Sequence, residues 1–238
     1  MPQRQNHRGV APEDRRLFAP AEVEKLRLGG EEASYLLGRG YAPSSVLDVV
    51  GRRHQLEARQ RLALQRSMCS PQQREGRAAR RVEPDGVRGN PLAIDGFNLI
   101  IGLEVALSGG LLLRGSDGAL RDLAGLRGSY HLVAETDTAL ELLGSLFEEL
   151  GPSEARFLLD SPVSNSGRLR ALILQHAARW PLPTTVELAQ NPDRELAGQH
   201  LVVSGDALVL DTAASWLNLL EHAVATRVRQ AWVVDLGH

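Results

Sequence analysis

The sequence has one cysteine, Cys69, and one lysine, Lys25. A lone thiol closes no internal disulfide and builds no cysteine-rich zinc site. No His-x₃-His or Cys-x₂-Cys pair occurs, so zinc lacks a recognisable ligand set. No apolar run reaches the roughly 18 residues that a membrane span needs, and no membrane partner is expected. The opening MPQRQNHRGVAPEDRR carries no apolar signal-peptide core, which makes a cytoplasmic location the expectation. There is no Gly-x-Ser-x-Gly elbow, which disfavours a serine hydrolase, and no lysine for a Walker A loop. Aromatic residues make up only 4% of a chain that is 43% hydrophobic. Leucine, valine and alanine must therefore fill its core.

What is present is unevenly distributed. The 238 residues suffice for one large domain, or for a medium domain with a small one. Net charge is −2, yet residues 1–90 carry +6 and the remainder −8. Between Arg52 and Arg81 nine arginines face two glutamates. A basic front half joined to an acidic back half points to an anionic partner. Its alternative is a solvated helix face rich in arginine.

Residues 1–19, with Pro2 and Pro12, read as a loose tail. Residues 20–70 read as a helical domain, possible in helix-turn-helix form: two short helices up to a stop at Gly40, one beginning at Pro43 with Ser44 or Ser45 as cap, and one over EARQRLALQRSMC. Residues 71–90 have few apolar positions and read as a linker. Residues 91–230 alternate strands and helices, which predicts an α/β domain with a mostly parallel sheet and helices on both faces. Within it, Ser116-Asp117-Gly118 marks a hairpin turn. Residues 136–151 predict an amphipathic helix capped by Thr136 and ended by Gly151.

Three predicted strands end alike, in LAID, FLLD and VVSGD. Asp95, Asp160 and Asp206 each follow an apolar run where a loop begins. In an open parallel sheet such strand ends lie along one edge, beside the crevice where ligands bind. Carboxylates gathered there repel one another. A hard divalent cation, Mg²⁺ or Mn²⁺, relieves that repulsion. It also acidifies water and neutralises a phosphodiester. Asp122 and Glu135 compete as a further ligand. Glu104 lies in an apolar stretch and faces either solvent or the site. Gly96 and Gly205 permit tight turns, and Asn98 can orient a carboxylate or water. Ser164, Asn165 and Ser166 precede a helix start, a natural seat for phosphate, although ordinary helix capping explains them too.

These motifs carry a resemblance. AIDGFNLIIGLEVALSGG, DGALRDLAGLRGSY, LLDSPVSNSGRL and VVSGD, with YLLGRGYAPSSVLDVVGRRHQLEARQRLALQR at residues 35–66, resemble the prokaryotic family called domain of unknown function 434, over roughly residues 20–225. The C-terminal part is also similar to the PIN-like nucleases, including their NYN branch. That resemblance implies a three-layer α/β/α sandwich and an acidic Mg²⁺ or Mn²⁺ site that cuts nucleic acid, commonly RNA. Asp95 and Asn98 match the D-x-x-N start, and SGD, ending at Asp206, resembles the S-x-D step. Ala207 and Leu208 follow it, so the pattern's second aspartate is missing.

The expectation is a metal-dependent nuclease. Asp95, Asp160 and Asp206 hold the ion, Asp122 or Glu135 supplements it, and Asn98 with Ser164, Asn165 and Ser166 positions phosphate and water. Arg52, Arg53, Arg59, Arg61 and Arg66 grip the nucleic-acid backbone. One rival is a non-catalytic nucleic-acid-binding protein. Another is a small-molecule phosphohydrolase, disfavoured because Phe97 stands where haloacid-dehalogenase chemistry wants a second aspartate.

Overall fold

A computed structural model describes residues 7–124 and 128–237. The elements run α1 (Asp14–Leu17), α2 (Pro20–Gly38), α3 (Pro43–Arg53), α4 (Ala58–Ser67), α5 (Pro71–Arg80), β1 (Arg81–Val82), a 3₁₀ turn, β2 (Pro91–Asp95), α6 (Gly96–Leu107), β3 (Leu111–Arg114) and β4 (Leu120–Asp122). They continue with α7 (Thr136–Leu150), β5 (Glu154–Asp160), α8 (Ser166–Ala177), β6 (Thr184–Ala189), α9 (Pro192–Leu196), β7 (Val202–Val203), α10 (Ala207–Thr212), β8 (Trp216–Leu217), α11 (Leu219–Arg227) and β9 (Trp232–Asp235). The fold is mixed α/β, as the alternation predicts.

The main sheet has six strands in the order β1-β8-β7-β2-β5-β6, and every pairing in it is parallel. Its residues divide between two cores with the two-residue period of a strand. Leu92, Ile94, Phe157, Leu159 and Val203 join α6, α7, α8 and α11 on one face. Ala93, Leu158 and Val202 meet Leu196 of α9 and Val209 of α10 on the other. Burial on both sides explains why these strands read as unbroken apolar runs.

A smaller sheet, β4-β3-β9, pairs β3 with β4 antiparallel through the Ser116–Gly118 turn and with β9 in parallel. Leu111, Leu113 and Val234 form a core with Leu17, Leu26, Val50 and Leu64 of the N-terminal helices. Leu112 faces the main core instead. The helical segment is thus packed onto this sheet rather than set apart.

Several sequence boundaries change accordingly. The described part of the tail, residues 7–19, is anchored: Leu17 and Phe18 are buried, and Arg8 donates to the buried carboxylate of Glu104. Residues 71–90 are no linker. They form α5, whose Arg77 is only 2% exposed, and β1, which extends the main sheet. The α/β region also runs past residue 230, because β9 pairs with β3.

Residues 20–38 make one helix, not two. Gly29 lies within α2, where an added Cβ would sit 3.2 Å from Val50 Cγ1, so close α2–α3 packing accounts for the glycine. Helix α3 starts with Pro43 at its first position and Ala42 at its N-cap, without a serine cap. Gly151 ends α7 at φ +64, as expected, but Thr136 does not cap it. The Thr136 hydroxyl instead donates to Glu104 at 2.6 Å. Among the described residues no helix is long and apolar enough to cross a membrane.

Candidate active site

Strand β2 sits where the sheet order reverses. From β2 the chain runs outward to β5 and β6, then crosses back to place β7 on the other side. The crevice outside the strand ends at such a switch point is the usual ligand site of an open parallel sheet. Asp95 is the last residue of β2 and Asp160 the last of β5. Asp206 follows β7 and caps α10, while Asp193 lies in α9 after β6.

These four aspartates and Asp122 of β4 line one cavity of about 230 Å³, together with Arg66 of α4. The structure thus brings together Asp95, Asp160, Asp206 and Asp122. It adds Asp193, which the strand-end reading overlooks. Among the described residues, no three carboxylate, imidazole or thiol groups stand close enough to chelate one ion. The carboxylates ring the cavity, and those of Asp95, Asp122 and Asp206 are turned to partners of their own. Asp206 Oδ1 accepts the Leu208 and Val209 amides at 2.8 and 3.4 Å. Asp95 Oδ1 accepts the Asn98 amide at 3.3 Å, and its Oδ2 accepts the Ser204 hydroxyl at 2.9 Å.

The electrostatics follow from burial and crowding. Burial pushes the Asp95 carboxyl up to about 7; the bonds from Ser204 and Asn98 oppose the rise, and the charges of Asp206 and Asp193 add to it. Burial also raises Asp160. Asp193 is raised by burial first, then by Asp206 and Asp160. The site therefore gathers carboxylates whose mutual repulsion adds to the effect of burial at Asp95 and Asp193.

Small residues make the geometry possible. An added Cβ on Gly96 would lie 2.6 Å from Leu159 Cδ2, and one on Gly205 would lie 2.7 Å from the Leu120 carbonyl. Neither has a positive φ, so close approach rather than turn type requires these glycines. Asn98 holds the turn after β7, its Oδ1 accepting the Gly205 amide at 2.7 Å. The Ser204 hydroxyl oxygen also accepts the Asp206 amide at 3.0 Å.

Other expected residues lie elsewhere. Glu135 is not among the cavity residues; its Oε1 pairs with His7 Nδ1 at 2.6 Å. Glu104 faces neither solvent nor the cavity. It is fully buried and bonded to Arg8, Tyr130 and Thr136. Ser164, Asn165 and Ser166 do not line the cavity either. Their segment fastens residues 128–130, with the Ser164 amide donating to Gly128 and its carbonyl accepting from Tyr130, while Asn165 Nδ2 donates to the Tyr130 carbonyl. The Ser164 backbone and the Asn165 side-chain amide are thus engaged in holding the fold.

The arginine segment is largely consumed by internal pairing. Arg59 pairs with buried Asp14, Arg53 with Glu32, and Arg61 donates to the Leu56 carbonyl at 2.9 Å. Arg77 bonds Asp117 and Asp211. Arg52 is exposed. Only Arg66, of the five arginines expected to grip nucleic acid, lines the acidic cavity.

The model of the domain of unknown function DUF5616 matches residues 84–222, more than half of the chain. The chain belongs to this family. A second model, the protein of unknown function DUF434, matches residues 25–80. The expected resemblance therefore holds for the N-terminal helices, while the strand-end motifs fall within DUF5616. The chain is also 27% identical over 188 residues to the uncharacterized protein MJ0935 of Methanocaldococcus jannaschii, covering 79% of this chain and 88% of that protein. No solved structure matches it. The matched family segment contains all five cavity aspartates; Arg66 comes from the segment matched by DUF434.

Proposed function

We propose that this chain is a divalent-metal-dependent phosphodiester hydrolase with a PIN-like fold, acting on nucleic acid and on RNA before DNA. One observation carries the reading: five aspartates from separate elements line one cavity at the switch point of a parallel sheet. Hard carboxylate oxygens suit Mg²⁺ or Mn²⁺. Asp95, Asp160 and Asp206 would hold the ion by turning inward from the cavity wall, because among the described residues no three such groups stand within chelating distance; Asp193 and Asp122 lie beside them, with Asp193 taking the place expected for Glu135. When bound, the ion supplies charge neutralisation at the phosphodiester and a more acidic water.

The chain's own groups supply the rest. Without the ion, burial holds the Asp95 carboxyl up at about 7; binding the ion would draw that proton off, so uptake of the metal should release a proton near neutral pH. Ser204 and Asn98 fix the orientation of the Asp95 carboxylate. Phe97 and Ile101 form an apolar part of the wall, which limits the water around that carboxylate.

The test is hydrolysis of labelled RNA and DNA oligonucleotides by metal-stripped protein, with and without added Mg²⁺ or Mn²⁺. Cleavage that needs the ion and disappears in Asp160→Asn is the expected result. Absence of metal-dependent cleavage of either substrate, with the ion also failing to raise the melting temperature, would sink the proposal.

A further inference from the structure

The acidic cavity opens beside a second, larger one. That neighbour measures about 400 Å³ and shares Arg66, Asn98, Asp122 and Asp206 with it. Its remaining wall includes Leu62 and Gln65 of α4 on one side and Gly205 on the other. The N-terminal helices are therefore part of the cleft, not an appendage to it. A volume of this order suits one small organic group.

The larger cavity differs in charge from its neighbour. Arg66 and Arg121 both line it, against Asp122 and Asp206. Arg121 is committed: its guanidinium bonds both oxygens of Asp117 and the Gly205 carbonyl. Arg66 is one-third exposed. Its Nη1 donates to the Asp122 carbonyl at 2.6 Å and lies 3.6 Å from the Asp122 carboxylate. Among the described residues its Nε and Nη2 make no hydrogen bond. A guanidinium presents donors in a fork that fits phosphate oxygens. Among the described residues it is the one cation lining the cavity that holds the five carboxylates.

We propose that Arg66 anchors a substrate phosphate at the boundary of the two cavities, with the adjoining nucleoside seated in the larger one between α4 and the turn after β7. This rests on the hydrolase reading of the same site. It makes α4 a component of the substrate site, so the DUF434-matched helices and the DUF5616-matched sheet form one functional unit. Because Arg53, Arg59 and Arg61 are engaged internally and Arg52 lines neither cavity, charge contact with the substrate is concentrated at Arg66 rather than spread along a stripe.

The experiment is equilibrium binding of a fluorescein-labelled oligouridylate by anisotropy across a salt series. Ca²⁺ replaces the hydrolysis-supporting ion, and hydrolysis is measured in parallel with Mn²⁺. Arg66→Ala should weaken binding about ten- to a hundredfold and lower the log–log salt slope by about one. Arg66→Gln can keep a hydrogen bond to the Asp122 carbonyl and controls for local unfolding; it should bind as poorly with an unchanged melting temperature. Gln65→Glu, which adds negative charge to the same wall, should also weaken binding. Arg39→Ala, at an exposed residue that lines neither cavity, should match the unaltered protein. Wild-type affinity and slope in both Arg66 variants, with cleavage still lost in Asp160→Asn, would overturn the Arg66 anchor and leave the hydrolase reading standing. An unaltered protein that neither binds nor cleaves the probe overturns both.

Discussion

The Ser204 hydroxyl donates to Asp95 Oδ2 at 2.9 Å, bridging the ends of two neighbouring parallel strands across the switch point. That bond stabilises the ionised carboxylate against the burial that raises its pKa. Ser204→Ala should therefore raise the Asp95 pKa further. A hydrogen bond to a charged group is worth about 1.5–3 kcal/mol, and water entering the cavity recovers part of it. The expected rise is about one pH unit. Carboxyl NMR titration measures it directly, and an unmoved Asp95 would mean the hydroxyl bond does not act on the charged form.

Asp95 also makes stability depend on pH. Its folded pKa of about 7 lies above its ordinary 3.8. Between those values the folded protein holds a proton that the unfolded chain has released. The stability from this group is fully present below about pH 4 and lost as pH rises through about 7. Asparagine has no such dependence. Asp95→Asn should thus gain stability relative to the native protein over that window, then hold the gain above it. A sealed group would contribute about 4 kcal/mol; screening in the open cavity reduces the expectation to about 1–2 kcal/mol. Melting curves at several pH values decide the matter, and a difference independent of pH argues against it.

Asp117 obeys the opposite sign. Burial alone would raise its pKa, but the bonds and charges of Arg121 and Arg77 outweigh that and bring it to about 2. This stability is present above the ordinary carboxylate range and lost as pH falls through about 2. Asp117→Asn leaves two buried guanidiniums short of a counter-charge. At neutral pH it should cost about 3–5 kcal/mol, measured by urea unfolding, with the gap closing in acid. A cost under about 1 kcal/mol would show that Asp211 alone can satisfy Arg77.

Much of this site was legible in local sequence, because a strand-end aspartate after an apolar run is a pattern of a few residues. Asp95, Asp160 and Asp206 were found that way, and Asp122 as a competing ligand. Asp193 is a fourth case of the same kind, but its strand TTVELA is partly exposed, and AQNPD reads as an ordinary turn in which Asn191 caps and Pro192 starts a helix. The fate of the arginines was not legible. Their composition resembled a nucleic-acid face, whereas their use depends on distant partners such as Asp14 and Asp211. The two-residue strands β1 and β8 are likewise defined only by their pairing, β1 with β8 and β8 also with β7; no periodicity fits into two residues. Ser164 to Ser166 have the right chemistry at a helix start, yet the contact with residues 128–130 that claims Ser164 and Asn165 is long-range.

Gly205 offers a test of how tightly the cavity is built. The turn after β7 runs against β4, so that an added Cβ would sit 2.7 Å from the Leu120 carbonyl and 3.3 Å from Asn98 Oδ1. The first of these is backbone, held in place by the β3–β4 pairing, and cannot rotate aside as a side chain would. The Gly205 carbonyl also accepts Arg121 Nε at 2.5 Å, which pins the turn from its other end. Gly205→Ala must therefore move β4 away from the turn, and Asp122 and Asp206 move apart with them. Overpacking of this kind costs about 1–3 kcal/mol. The variant should remain folded with a lowered melting temperature, and hydrolysis should fall at least about a hundredfold, the scale of losing a preorganised stabilising group. Asp160→Asn is the comparison, because it removes a carboxylate without disturbing that backbone contact and should keep or raise the melting temperature. Gly205→Ala with native stability and native hydrolysis would show that the two backbones can separate without disturbing the carboxylates, and the close approach of β4 would then have no part in forming the site.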